Sequence, residues 1–254
     1  MKSLFHKNRV SLFANAGILA AIIAVVMAML AGFGARLGWW HFGVGFAWLR
    51  WSVYIAIAAT VISVIGIVAT RPATEKRGLY RAIVGLVLAI PVIIIPLLWK
   101  QTAQAVPPIH DITTDTDYPP QFIAIVPLRA EAPNSLEYGG AVIAEQQKAS
   151  YPDVKPLLVN IAPSEVFDAA LATAQDMGWE IVAAEKDNNR IEATATTFWF
   201  GFKDDVVIRI SPDNGGSILD IRSVSRVGKS DVGTNAERIR SYLSQLRARL
   251  AQGA

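Results

Sequence analysis

Three long apolar stretches dominate the first hundred residues of the chain. Residues 11–34, 52–70 and 82–99 carry no charged side chain over 24, 19 and 18 positions, respectively. A helix of roughly 20 apolar residues crosses a hydrocarbon core about 30 Å thick. A single run of this kind would also suit a buried helix of a soluble protein, but three in succession favour a transmembrane anchor. The first run is too long for the apolar part of a signal peptide, so we interpret it as an uncleaved span.

The basic residues around these runs predict an orientation. Lys and Arg are more frequent in cytoplasmic loops than in external ones. The N-terminal tail and the second loop are rich in them, whereas the first loop holds two and no base follows Lys100 until Arg129. The N-terminus is therefore expected in the cytoplasm, and the chain after Lys100 outside it. No charged residue lies within the runs, which favours an anchor over a transport pathway. The basic residues of the tail and second loop are Lys2, Lys7, Arg9, Arg71, Lys76, Arg77 and Arg81.

The pattern changes after residue 150 to short alternating segments. Residues 155–160, 179–185 and 190–200 are rich in β-branched and aromatic residues and predict strands. Between the first two, an apolar stripe at helical spacing predicts a helix over residues 164–177, with Gly178 ending it. Pro163 fits the first turn of that helix.

Asn214 and Gly215 predict a two-residue hairpin turn. In that register the numbers of opposed residues sum to 429, so Asp213 faces Gly216 and Arg209 faces Asp220. Apolar side chains then fill one face of the hairpin, and charges fill the other. The sequence thus predicts a structural charge lattice in which Arg222 lies diagonal to Asp205. Its members are Asp205, Arg209, Asp220 and Arg222.

A final amphipathic helix completes the fold. It is expected to begin near Thr234, which has capping-box spacing to Glu237. The element order is β-α-β-β-β-β-α, which predicts an α+β two-layer domain with an antiparallel sheet behind the three-helix transmembrane anchor. The expected divisions are the anchor at 1–100, a proline-rich connector at 101–150 with a short helix over 139–150, and the extracytoplasmic domain at 151–254.

The connector contains an acidic segment, IHDITTDTDYPPQF, at residues 109–122. Asp111, Asp115 and Asp117 beside His110 resemble a divalent-cation site, but their spacing fits no EF-hand loop. The favoured interpretation is an extended strap with side-chain turns at the aspartates. We therefore predict no metal and no cofactor.

Charge and cysteine content limit the functional classes. Residues 1–100 hold ten Lys/Arg and one acid, a net charge of +9, whereas residues 101–254 hold fourteen and twenty, a net charge of −6. An acidic polar half disfavours nucleic acid as a partner. The chain has no cysteine, which excludes disulfides, thiolate metal sites and a cysteine nucleophile.

A polar loop between the last strand and the last helix is the first candidate ligand site. Basic side chains beside glycines and a helix N-terminus suit a phosphate or lipid headgroup. The alternative, which we favour, is that Asp231 and Asn235 tie the loop internally and that Arg226 bonds to backbone carbonyls. The candidate residues are Arg226, Lys229, Ser230, Asp231 and Asn235.

Catalytic readings of neighbouring residues are weaker. Asp204 and Asp205 are adjacent in a strand, so their side chains point to opposite faces and cannot share a site. Asp204 is expected near Ser225 in a structural hydrogen bond. Three serines, Ser223, Ser225 and Ser230, lack a nucleophile-elbow motif, and the only histidine of this half, His110, is distant in sequence.

Phe198-Trp199-Phe200-Gly201-Phe202 is the second candidate site. Four aromatic residues in five positions are not expected to lie bare in water. They suit a corner of the core against the last helix, a wall of an apolar ligand groove, or a loop that dips into the outer face of the membrane. The ligand-binding candidates here are Trp199, Phe200 and Phe202.

Residues 190–243 carry a family resemblance. The segments RIEATATTFWFGFKDDVVIRI and DIRSVSRVGKSDVGTNAERIRSYL, preceded by IHDITTDTDYPPQF, resemble the bacterial and plastid family catalogued as domain of unknown function 1499. The resemblance spans roughly residues 105–250, and three preceding spans are similar to some members. Many members carry Pro-Asn-Cys where this chain has Pro133, Asn134 and Ser135, so no role for that thiol carries over. The resemblance implies a fold and a location but no activity.

Three functional hypotheses follow. The favoured one is a non-enzymatic inner-membrane protein that presents a periplasmic interaction domain, with membrane lipids, and also other envelope proteins, open as partners. The second is a binder of a lipid or of an apolar or anionic ligand of the cell envelope. The third, an enzyme, lacks a recognisable set of acid, base and nucleophile.

Overall fold

A computed structural model of the chain describes residues 9–72, 74 and 76–253. The chain divides into two compact units. The first comprises Met1–Lys100 together with Phe198–Gly201, and the second comprises Gln101–Thr197 together with Phe202–Ala254. Lys2 and Lys7, on which part of the predicted orientation depends, lie outside the described residues.

The first unit contains three helices, α1 (Leu12–Arg36), α2 (Phe42–Ala69) and α3 (Leu79–Ala105). Each is long and apolar enough to cross a membrane. Helix α3 continues through Pro91 and Pro96. The helices contact one another through small residues: a Cβ at Gly17 or Gly85 would meet Ser63. Large apolar side chains lie on their exposed faces, as in helices that face lipid.

The second unit is built on a six-stranded antiparallel sheet. Its strands are β1 (Asp111–Thr113), β2 (Leu157–Val159), β3 (Glu180–Glu185), β4 (Arg190–Thr196), β5 (Lys203–Asp213) and β6 (Gly216–Ser225), in the order β1-β6-β5-β4-β3. Strand β2 also pairs with β6, beyond the stretch that β1 occupies. The helices are α4 (Gly140–Ser150), α5 (Pro163–Asp176) and α6 (Thr234–Gly253). The predicted fold class, a helical anchor with an α+β domain, is confirmed.

The β5–β6 hairpin has the predicted register. Asp213 pairs with Gly216, and the pairing continues without a shift to Asp204 and Ser225. Asn214 and Gly215 both have positive φ, at 43° and 90°, as a type I′ turn requires.

The main core lies between the sheet and helices α5 and α6. Alternate strand residues such as Ile191, Ile208 and Ile221 pack against Phe167 and Ile239 from these two helices. A smaller cluster lies on the opposite face, where Phe122 and Ile125 of the connector meet Val207 and Val224 of the sheet. Segment 109–138 therefore covers the second face of the sheet.

Two local predictions are wrong. Strand β4 ends at Thr196 and not at residue 200, since Phe198–Phe200 form a turn that Gly201 closes with φ +69°. Thr234 is not the cap of helix α6 but its first residue, and the Asp231 carboxylate accepts hydrogen bonds from the amides of Gly233 and Asn235 instead. A carboxylate suits this position because it faces the positive end of the helix dipole.

Candidate functional site

Arg226, the centre of the predicted ligand loop, is bound within the second unit. Its Nε and Nη2 donate to the two carboxylate oxygens of Asp205 at 2.9 and 2.8 Å, and its Nη1 donates to the Leu128 carbonyl at 3.2 Å. In such a two-point contact, the carboxylate neutralises the charge of the guanidinium and also occupies two of its N–H donors. Of these partners, the sequence led us to expect a backbone carbonyl but not the carboxylate of Asp205.

Asp205 accepts hydrogen bonds from two further side chains. Arg129 Nη1 lies 3.0 Å from its Oδ2, and Thr194 Oγ1 donates to its Oδ1 at 2.8 Å. Burial lowers the pKa of Arg129 below its ordinary value, an effect that the charge of Asp205 opposes. Because each Asp205 oxygen already accepts two hydrogen bonds, this carboxylate is a structural acceptor and not a poised base.

Asn235 and Asp231 organise the other end of the loop. Asn235 Nδ2 donates to the carbonyl of His110 and to Ser225 Oγ, both at 3.0 Å, while its Oδ1 accepts from Ser223 Oγ at 2.7 Å. Burial raises the pKa of Asp231 even though two backbone amides stabilise its charge. Both residues thus join the loop to helix α6 and to the connector.

Lys229 and Ser230 complete the loop. Lys229 is exposed, and its carbonyl lies 3.4 Å from Nδ1 of His110. Ser230 Oγ accepts the amide of Val232 at 3.1 Å. Ser223 Oγ bonds to Asn235 and Arg238, Ser225 Oγ bonds to Asn235, and Ser230 Oγ bonds to a backbone amide, which gives no support to a nucleophilic serine.

The predicted charge lattice exists in part. Arg209 Nη2 bonds to Asp220 at 2.8 Å, in agreement with the register, and also to Asp115 of the connector at 2.9 Å. Arg222 was expected to pair with Asp205, and this is wrong. Its Nε and Nη2 bond to Asp111 at 2.9 and 2.7 Å.

Arg222 is a large side chain that is fully buried. Its Cζ lies 5.4 Å from the ring centroid of Phe122 and 5.5 Å from that of Tyr138, so two aromatic rings flank the guanidinium. Its remaining donors reach the carbonyls of Pro120 and Leu136. Burial, with a contribution from Asp111, raises the pKa of Tyr138 to about 12.

Glu192 holds the middle of the connector. Its carboxylate is fully buried and accepts the consecutive amides of Ile123, Ala124 and Ile125 at 2.9, 3.1 and 2.9 Å. Glu192 and Arg129 were not among the residues predicted from the sequence, and Asp111 was not predicted as the partner of an arginine. A signal for Glu192 was present, since it is the one acid of strand β4, and the strand residues after Arg190 are otherwise apolar or hydroxylated.

The acidic segment of the connector is bonded to arginine and lysine. Asp111 pairs with Arg222, Asp115 with Arg209, and Asp117 with Lys148. Asp115 Oδ1 also accepts the amides of Asp117 and Tyr118 in a side-chain turn. In the described part of the chain, no group of three or more His, Cys, Asp and Glu side chains is placed to hold a metal ion.

The aromatic turn Phe198–Gly201 belongs to the first unit. Trp199 Nε1 donates to the carbonyl of Met29 at 3.3 Å, and its indole lies against Gly32 and 5.3 Å from the ring of Trp99. Phe200 packs on Phe46, with ring centroids 4.9 Å apart. The suggested core corner against the last helix is therefore wrong for Trp199 and Phe200.

The remaining part of the turn is held by Arg36, whose Nη1 donates to the carbonyl of Phe198 at 2.6 Å. The Phe198 ring is 78% exposed, although its edge meets Phe33. Phe202 lies beyond the turn, and its amide and carbonyl bond to Thr197 in the second unit. Trp199 and Phe200 thus fall in the first unit, whereas Phe202 and the predicted residues of the loop fall in the second.

Comparison with protein families identifies a match to the second unit. The model of the family described as "Protein of unknown function (DUF1499)" matches residues 111–246, more than half of the chain. No curated protein matches the chain. The match spans every strand of the sheet and most of helix α6, and it confirms the resemblance seen in the sequence. The chain therefore belongs to the DUF1499 family.

Proposed function

We propose that this protein is a non-enzymatic bacterial inner-membrane protein that presents its α+β domain in the periplasm as an interaction domain. The three apolar helices anchor it, and other envelope proteins are the partners of the exposed domain. Nucleic acid is not a partner, because residues 101–254, which follow the three apolar helices, carry a net charge of −6 and would repel a phosphate backbone.

One observation carries the non-enzymatic part of this proposal. Charged side chains of the candidate loop, the acidic segment and the predicted charge lattice bond to one another: Arg226 to Asp205, Arg222 to Asp111 and Arg209 to Asp220. Burying an ion pair costs desolvation free energy, and what such a pair provides is a defined geometry between the two segments that it joins. Here it fixes the connector on the sheet, which suits a rigid scaffold.

The distribution of basic residues supports the orientation. Arg71, Lys76 and Arg77 lie between the second and third helices, Arg81 lies in the first turn of the third, and the segment after Lys100 has no base before Arg129. Short loops with more Lys and Arg stay in the cytoplasm. This distribution supports an orientation with the N-terminus and the α2–α3 loop inside and the α+β domain outside.

Cysteine labelling tests this orientation directly, because the chain has no native cysteine. Ser150→Cys, at the exposed end of helix α4, is expected to react with a membrane-impermeant maleimide in intact spheroplasts. Pro72→Cys, in the exposed turn after helix α2, is expected to react only after permeabilisation. The reverse pattern would overturn the proposal.

A second candidate, binding of a membrane lipid, is favoured by the aromatic turn. Phe198 is largely exposed, and its neighbours Trp199 and Phe200 pack among helices that are apolar enough to span a membrane. Aromatic side chains concentrate at the membrane interface. Native mass spectrometry from mild detergent is expected to show a lipid retained by the wild type and lost in Phe198→Ala.

A matched control is Tyr118→Ala, because Tyr118 is 79% exposed and belongs to the second unit. This variant is expected to retain the lipid. Equal retention by wild type and both variants, or no lipid in any of them, would count against the second candidate.

A further inference from the structure

Arg50 interrupts an apolar stripe along helix α2. Exposed side chains of this helix recur every three or four residues, a spacing that places them on one face. Arg50 is exposed and is the one charged residue of the helix, whose opposite face is buried and made of small residues. A cation therefore lies on a face that is otherwise apolar and suited to contact with lipid. The other exposed members of the stripe are Phe46, Tyr54, Ile57, Val61, Val64 and Val68.

Helical geometry determines the immediate neighbours of Arg50. Phe46 and Tyr54 lie four residues before and after it, a spacing at which Cβ atoms are about 6 Å apart. Trp51 follows Arg50 in the chain, is largely exposed, and has its ring 5.7 Å from that of Tyr54. Aromatic residues concentrate where lipid headgroups meet acyl chains. The surroundings of Arg50 thus match that boundary of a bilayer.

The length of helix α2 places Arg50 at the same boundary. Arg50 lies 19 positions before the last residue of the helix, Ala69. That distance is about 28 Å at the rise of an α-helix, close to the thickness of a hydrocarbon core. Helix α3 agrees, because its two basic residues, Arg81 and Lys100, are also 19 positions apart. Since side chains tilt toward the N-terminus of a helix, Arg50 leans away from the core and toward the headgroups.

The charge of Arg50 limits what can cover it. Arg50 forms no ion pair with any described residue, and residues 1–100 contain a single acid, Glu75, 25 positions away in the chain. The helices of a second copy would therefore bring no carboxylate to this level of the face. A bilayer supplies phosphate there, and a guanidinium binds phosphate through two parallel hydrogen bonds. A lipid with a net negative charge suits the site better than a zwitterionic one, whose own cation already balances its phosphate.

We propose that Arg50 binds the phosphate of an anionic phospholipid, with Phe46, Trp51 and Tyr54 against the lipid below the headgroup. Phe46 also packs on Phe200, so this site adjoins the aromatic turn within the first unit. The inference rests on the proposed membrane anchoring, and it assigns a headgroup and its binding residue to the lipid contact.

Native mass spectrometry of the full chain in mild detergent, titrated with phosphatidylglycerol or with phosphatidylcholine, tests the inference. Arg50→Gln is expected to bind its first phosphatidylglycerol about fivefold more weakly than the wild type does, which is the effect of one basic side chain near an anionic lipid surface. Binding of phosphatidylcholine should change less. Arg50→Lys should be intermediate, because an ammonium keeps the charge but not the two-point contact. Arg247→Gln, which removes an exposed arginine from helix α6 of the second unit, should bind as the wild type does.

A label on the same stripe separates this inference from the anchoring. Ile57→Cys, two turns from Arg50, carries the NBD fluorophore in nanodiscs that contain a doxyl lipid. Quenching shows that the stripe faces lipid, and the same quenching in the Arg50→Gln background shows that this variant keeps its membrane contact.

Three results would overturn the inference. Quenching of the Ile57 label, combined with equal affinities of wild type and Arg50→Gln for phosphatidylglycerol, rejects the phosphate contact and leaves the anchoring intact. A blue-shifted but unquenched label indicates a protein neighbour, such as a second copy, in place of lipid. A label that is neither quenched nor blue-shifted faces water and counts against the anchoring as well.

Discussion

Asp111 and Arg222 form a two-point ion pair inside the protein. Two separate guanidinium nitrogens of Arg222 reach the two oxygens of Asp111, and the side chains are 0% and 8% exposed. The residues lie 111 positions apart, one in the short strand β1 and the other in β6. The pair therefore holds the segment that follows helix α3 on the central part of the sheet.

Arg222→Ala is expected to destabilise the second unit strongly. Removing one partner of a buried pair leaves an uncompensated charge, which costs about 3–5 kcal/mol. Arg222→Lys should recover little of this loss, since an ammonium cannot make the two-point contact with Asp111. Urea titration of the full chain in mild detergent, followed by pulse proteolysis, measures the free energy of unfolding.

Lys186→Ala provides the matched control. Lys186 pairs with Asp168 at 2.7 Å, but both side chains are more than half exposed. Such pairs contribute below about 1 kcal/mol. If Arg222→Ala changed the free energy of unfolding no more than Lys186→Ala, the structural role assigned to the Asp111 pair would be wrong.

The failure to predict this pair has a physical reason. Local chemistry is legible in the sequence: Asn214 and Gly215 set the register of the hairpin, and the register places Arg209 beside Asp220. The same reasoning predicted that Arg222 pairs with Asp205, because it considered only contacts between neighbouring strands. A charged face pairs with whatever covers it, and here that cover is the connector, whose path no spacing rule determines.

The aromatic turn shows the same limit. Four aromatic residues in five positions predicted an apolar environment, and Trp199 and Phe200 lie in one. Whether helix α6 or the apolar helices supply it depends on long-range packing. The end of strand β4 at Thr196 could not be predicted from β propensity, because the aromatic residues that follow it also favour strands.

Glu192→Gln is expected to loosen the connector locally. A glutamine side chain presents one acceptor oxygen and an NH₂ group in place of two charged oxygens, so at least one of the amides of residues 123–125 loses its partner. Each buried group left unsatisfied costs about 1–3 kcal/mol. Hydrogen exchange read by mass spectrometry should show faster exchange in a peptide that covers residues 121–129.

Glu185→Gln is the control for this measurement, because Glu185 is partly exposed and pairs with Arg190 in the same hairpin. Its exchange pattern over residues 121–129 should match the wild type. Unchanged exchange in Glu192→Gln would show that the three amides do not depend on the carboxylate.

Asp231→Asn is expected to change how stability depends on pH. Burial raises the pKa of Asp231, so the folded protein binds this proton more tightly than the unfolded chain does. The resulting stabilisation is complete below the ordinary carboxyl pKa and is lost as the pH rises through the raised value. The melting temperature of the wild type should therefore fall relative to that of Asp231→Asn as the pH increases across this range.

Asp153→Asn should show the opposite sign. Hydrogen bonds from Arg240 lower the pKa of Asp153, so its contribution is present above the ordinary carboxyl pKa and is lost as the pH falls through the lowered value. The wild type should accordingly lose stability relative to Asp153→Asn on acidification. Parallel pH profiles for the two variants would contradict the assignment of Asp231 as a buried, unfavourably ionised cap.

Gly32→Ala is expected to disturb the first unit through Trp199. A Cβ at Gly32 would overlap the indole ring, so the ring or the helix backbone must move. Overpacking of this kind typically costs about 1–3 kcal/mol. Trp199→Ala removes the clash, so the cost of Gly32→Ala should be largely abolished in the double variant. Thermal unfolding in mild detergent is measured for the wild type, the two single variants and the double variant. Additive effects of the two substitutions would show that the Trp199 ring does not pack against Gly32.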